Sequence, residues 1–133
     1  MAEDARAGRP LSPHLQIWRW TPTMAASILH RATGIALSAG ALLLGLWFVA
    51  LALGPRWFEG ASAIVRSAPG QFALFGFAWS LLYHSLNGLR HLYWDSGRGL
   101  KPATATATSW LVFAASLVGA VGLFVAAAVL DRG

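Results

Sequence analysis

Three long stretches of this chain carry no ionised side chain. One lies between Arg31 and Arg56, one between Arg66 and Arg90, and one between Lys101 and Asp131. Each exceeds the roughly 20 apolar residues that a helix needs to cross the hydrocarbon core of a bilayer. The chain is 56% hydrophobic and only 11% charged, a balance that excludes an ordinary water-soluble domain. In lipid, backbone polar groups have to be satisfied inside the segment, so these stretches predict helices. The expected fold is all-α, a single transmembrane domain over residues 1–133. It has three transmembrane helices, at about 23–53, 70–94 and 104–130, preceded by a short interfacial N-terminal segment, 1–22.

Proline and glycine supply the punctuation. Pro10, Pro13 and Pro22 interrupt any helix before Thr23. Leu11, Leu15, Ile17, Trp18 and Trp20, mixed with His14, Gln16 and Arg19, make a segment too short to span, which belongs at the membrane interface. Gly54-Pro55 ends the first helix, and residues 56–68 read as a short loop with room for an amphipathic turn around 61–65. Pro69-Gly70 opens the second helix, Ser96-Gly97-Arg98-Gly99 forms a turn, and Lys101-Pro102 precedes the third. Ala115, Gly119 and Gly122 are expected to let that last helix pack closely.

Charge sets the orientation. The N-terminal segment and the second loop hold seven basic residues, Arg6, Arg9, Arg19, Arg31, Arg90, Arg98 and Lys101, against Arg56, Arg66 and Arg132 on the other side. The positive-inside rule then predicts a cytoplasmic N-terminus and, after three crossings, a periplasmic C-terminus. No apolar run precedes Pro10, so the N-terminus does not read as a signal peptide. Nine arginines against one lysine, with many alanines, suggest a GC-rich genome and a bacterial inner membrane. With no cysteine, the chain has no disulfide, no iron–sulfur ligation and no thiol catalysis of its own. The basic residues are spread along loops, with no basic helix face of the kind that binds nucleic acid.

His84 is the residue that points to chemistry. It sits at membrane depth, where an imidazole is costly unless something binds it. Either it hydrogen-bonds to a neighbouring helix, or it is an axial ligand to haem iron, which neutral imidazole suits. His91 returns to the same helical face two turns later, about 10 Å along, with Gly88 between them. His30 and His91, near the interface, are either structural or, with Arg31, partners for haem propionates. Ser27 and Arg31 share a face one turn apart. Arg31 either snorkels to the headgroups or joins Ser27 in hydrogen-bonding an uncharged carbonyl ligand such as a quinone. Asp95 reads first as a helix-end partner for Arg90 or Arg98. No set of histidines on two helices supplies both sides of a haem, so a second ligand would come from another chain.

Three segments together resemble a known family. They are Arg9-Pro10-Leu11-Ser12-Pro13-His14-Leu15, Ser27-Ile28-Leu29-His30-Arg31-Ala32-Thr33-Gly34, and His84 through Gly88-Leu89-Arg90-His91-Leu92 to Trp94-Asp95. In order, spacing and helix layout the chain resembles the cytochrome b membrane-anchor subunit of succinate dehydrogenase, of the large-anchor type. The resemblance runs from Arg9 to the third helix, though there it is one of hydropathy alone, and Trp18 stands where the family often has tyrosine. It implies a complex in which a flavoprotein oxidises succinate, an iron–sulfur protein relays electrons, and two small membrane subunits share one haem b and form the ubiquinone site. Carried across, it implies His84 as axial ligand, His30, Arg31 and His91 around the propionates, and Ser27, Arg31 and Asp95 at the quinone. The rivals are the anchor of a fumarate reductase, which runs the reverse reaction, and a non-redox membrane scaffold whose polar residues only hold helices together.

Overall fold

The computed structural model describes residues 18–131. His14 and most of the expected interfacial segment lie outside them. The described residues form four helices and no strand: α1 (Pro22–Ala52), α2 (Pro55–Arg66), α3 (Ala68–Asp95) and α4 (Pro102–Leu130). Three of these match the expected spans to within two residues at each end. The fourth is a correction. Residues 56–68 were expected to be a loop, yet α2 occupies nearly all of that stretch. Its apolar positions, Trp57, Phe58, Ala61, Ile64 and Val65, recur at helical spacing, and Pro55 stands at its first position.

Local signals explain the ends. The Thr21 hydroxyl accepts from the Met24 N–H, with Pro22 in the first turn of α1. Ser67 does the same for α3, accepting from the Gly70 N–H at 3.2 Å. Between α1 and α2 the backbone turns at Gly54, whose φ of 108° is a conformation that side-chain-bearing residues rarely adopt.

α3 is the central helix, packed against α1, α2 and α4. Its contacts are close. The Phe77 ring lies where a Cβ at position 40 would sit, so Gly40 of α1 admits it. On α4 the buried face is Ser109, Val112, Ser116 and Ala120, with Gly119 against Leu82. Of the small residues expected to mediate packing, only Gly119 does so. Ala115 is exposed, and a Cβ at Gly122 would meet nothing.

The burial pattern is inverted relative to a soluble bundle. Among the described residues, six of the ten that are buried are polar: Thr33, Ser80, Asn87, Arg90, Ser109 and Ser116. Large apolar residues such as Ile35, Leu42, Leu43, Phe72, Leu111 and Val118 are exposed. Helices α1 and α4 are long and apolar enough to cross a membrane, and the most apolar stretch of α1 has no buried residue. An apolar exterior around a polar interior is what hydrocarbon as a solvent demands.

Candidate functional site

Three histidines meet where the N-terminal part of α1 faces the C-terminal part of α3. The His30 ring stacks on that of His84 with centroids 3.9 Å apart and planes inclined by 12°. His91 approaches the other side of the cluster, 5.3 Å from His30. The sequence places His84 and His91 on one face of a helix; the fold adds His30 from a different helix.

The surroundings of His84 set its chemistry. Its Nδ1 lies 3.1 Å from the carbonyl oxygen of His30 and 3.3 Å from the Thr33 hydroxyl. A carbonyl oxygen only accepts, so Nδ1 carries the proton in this bond, and in the neutral ring the lone pair is then on Nε2. Thr33 is itself buried and donates back to the Leu29 and His30 carbonyls at 2.8 and 3.0 Å. Gly34 closes one side: a Cβ there would stand 3.1 Å from His84 Cε1, tight enough to displace the ring. By contrast, a Cβ at Gly88 would meet nothing within 4 Å, so the face of α3 between His84 and His91 is open. His30 Nδ1 is buried without a hydrogen-bond partner. Such an atom is costly to leave unpaired, and it marks a place for an outside polar group.

The other expected residues surround this cluster less closely. Ser27 is half-buried, and Arg31 and Asp95 are exposed. Arg90 does not pair with Asp95. Its four hydrogen bonds go to Asn87 on α3 and to Thr108, Ser109 and the Ala105 carbonyl on α4. No group of three or more potential metal ligands exists among the described residues. A metal held here by three or more protein ligands would need donors from outside these residues.

Comparison with known proteins decides the family. Residues 5–123 match the family described as succinate dehydrogenase/fumarate reductase transmembrane subunit. The chain belongs to this family. The succinate dehydrogenase cytochrome b556 subunit of Paracoccus denitrificans is 46% identical over 91% of this chain and 93% of its own length. The mitochondrial cytochrome b560 subunit of Sus scrofa is 44% identical over 88% of this chain and 70% of its own length. The cytochrome b556 subunit of Rickettsia prowazekii is 34% identical over 83% and 86%. Within the family, the chain is thus a cytochrome b anchor of the succinate dehydrogenase kind.

For an anchor subunit, three contacts were not foreseen from sequence. Tyr83, fully buried, donates its hydroxyl to the Ala26 carbonyl at 3.0 Å and ties α3 to α1 beside Ser27. Thr33 supports His84. Arg90, only 6% exposed, joins α3 to α4. The first two had a weak signal, a polar group inside an apolar run next to a residue of interest. Arg90 had none, since a charge near a helix end ordinarily reads as a loop cation.

Proposed function

We propose that this subunit binds haem b jointly with a second anchor subunit and forms part of a ubiquinone-reduction site, passing electrons from succinate to quinone. The observation that carries the reading is the bond from His84 Nδ1 to the His30 carbonyl. Histidines that ligate metals commonly hold their second nitrogen in this way, which fixes the tautomer and aims the ring. The donor set fits haem b. His84 Nε2 would be this chain's ligand to the haem iron. The unpaired His30 Nδ1, with His91 and Arg31, offers donors to the propionate carboxylates. The open face at Gly88 suits a flat group. Bound haem supplies a one-electron carrier. The chain's own residues orient the imidazole through its Nδ1 and supply positive or hydrogen-bonding groups at the membrane edge. A further ligand to the iron would come from the partner subunit, and a flavoprotein and an iron–sulfur subunit would supply the electrons.

The quinone site is assigned to Ser27 and Arg31, with Asp95 nearby. The two carbonyl oxygens of ubiquinone gain negative charge on reduction. A hydroxyl and a guanidinium one helical turn apart stabilise that charge, and such donors count for more in a water-poor site. The whole chain is one transmembrane domain in a bacterial inner membrane. α3 makes the middle crossing, its hydropathy reduced by Ser80, Tyr83, His84, Asn87 and Arg90. The N-terminus is cytoplasmic and the C-terminus periplasmic. Withdrawing the buried Arg90 from the loop charges leaves six against three, which keeps that orientation.

Two measurements test this. In the assembled complex, His84→Ala should abolish the haem absorbance bands; an unchanged spectrum would remove His84 as ligand. Ser27→Ala and Arg31→Ala should lower succinate–quinone reduction about a hundredfold, while succinate oxidation by an artificial acceptor survives. Quinone reduction at the parental rate in both variants moves the quinone site elsewhere.

A further inference from the structure

Arg90 is turned inward, away from the headgroups that a snorkelling arginine would seek. Its Nε donates to Thr108 Oγ1 at 3.0 Å and Nη1 to Asn87 Oδ1 at 3.3 Å. Nη2 donates to the Ala105 carbonyl and to Ser109 Oγ, both at 2.9 Å. All four acceptors are neutral, so the arrangement is not an ion pair. Three of them belong to α4, so the guanidinium is pinned to that helix. Its Cζ lies over the Trp94 ring, 3.9 Å from the centroid. Trp94 in turn meets His91 edge-on at 5.3 Å, and its Nε1 donates to the Gly99 carbonyl at 3.2 Å. His91 lies 5.3 Å from His30, which stacks on His84. An unbroken row of planar groups therefore runs from the α4 anchor to His84.

We infer that Arg90 is a positioning residue for the haem site: pinned to α4, it holds Trp94, and Trp94 fixes the ring of His91 at the edge of the histidine cluster. The inference rests on the haem reading proposed above. Only a guanidinium meets the demand. It is planar for stacking and carries a rigid fork of donors, whereas a lysine ammonium offers a point charge on a flexible stem. Aromatic faces attract cations, so the stack adds to the hydrogen bonds.

The test uses the detergent-solubilised complex containing the full chain, in three variants. Arg90→Lys keeps the charge and loses the fork. Trp94→Leu leaves the four hydrogen bonds of Arg90 in place and removes the ring it stacks on. Arg98→Ala removes an exposed arginine from the same end of the bundle. Transfer of haem to an excess of a haem-free acceptor protein should run roughly tenfold faster in the first two variants, within the range for loss of groups that orient metal ligands. Their low-temperature haem EPR spectra should shift as well, which a purely structural loss at full haem occupancy would not cause. Arg98→Ala should match the parent. Parental release rates and spectra in Arg90→Lys and Trp94→Leu overturn the inference. If Arg90→Lys does not assemble, Trp94→Leu decides alone. If the parent complex carries no haem, it is the proposed function that fails. The ring nitrogens of 15N-labelled histidine then decide: a displaced His91 signal in the variants supports the positioning role, and an unmoved one ends it.

Discussion

The two ends of the bundle are built on opposite principles. At the histidine end, Ala26, Thr33, Tyr83, Asn87, Arg90, Ser109 and Val112 are buried. Polar groups there are tied across helices, with Tyr83 to α1 and Arg90 to α4. At the opposite end, α2 has no buried residue. The second half of α1 presents Leu42, Leu43, Leu46, Phe48, Val49 and Leu51 outward, and contacts there include Trp47 against Phe58 at 5.1 Å. In a bilayer, apolar burial between helices gains little, since lipid tails are as apolar as leucine. Packing and cross-helix hydrogen bonds therefore decide which end is rigid. The histidine end has both in its buried interior, whereas at the far end the bond from Gln71 Nε2 to the Val65 carbonyl, 2.9 Å, is exposed.

That contrast can be broken by substitutions of graded effect. The largest is expected from Arg90→Ala. Three cross-helix hydrogen bonds at roughly 0.6 kcal/mol each sum to about 2 kcal/mol, before any cost of leaving Asn87 Oδ1 unpaired. Denaturation of the purified complex by titrated detergent measures it, and a loss below about 0.5 kcal/mol would mean that water or lipid replaces the guanidinium. Tyr83→Phe removes one buried hydroxyl bond to α1 while Ala26 keeps its helical environment. A loss of about 1 kcal/mol is expected in the same assay. Leu43→Ala at the far end should lie within about 0.5 kcal/mol of the parent, because the side chain is 65% exposed. Should Leu43→Ala cost as much as Tyr83→Phe, that surface is covered by protein and the ends differ less than they look.

What could be read from sequence divides along the same line. Helix boundaries were legible because Pro22, Gly54-Pro55, Pro69 and Lys101-Pro102 punctuate them chemically. α2 was missed because it is short and interrupted by Gly60, although its apolar spacing is helical. His84 and His91 were legible as one face of one helix, since periodicity fixes relations within a helix. Their meeting with His30, the support from Thr33 and the inward turn of Arg90 depend on how helices pack. In the packing of α4 the pattern misled: Ala115 and Gly122 looked like contact residues, yet the buried face runs through Ser109, Val112, Ser116 and Ala120. Small size permits an approach without specifying which side makes it.

The inward-facing Arg90 has a consequence for how the chain is made. On the three-crossing reading, α3 emerges from the ribosome before the residues of α4 that satisfy its guanidinium. An arginine near the centre of an inserting helix costs about 2.5–3.5 kcal/mol on biological insertion scales, less nearer the edge, and Ser80, His84 and Asn87 add to the burden. The helix that carries most of the histidine cluster is therefore the one least fitted to partition on its own. Ala105, Thr108 and Ser109 follow within the next helix, after a turn kept short by Gly97 and Gly99. α3 and α4 would then enter the bilayer together as a hairpin, with the site at its closed end assembled during biogenesis. A chain truncated at Leu100 should leave α3 poorly inserted in a glycosylation-mapping assay, and full insertion of that fragment would refute the coupling.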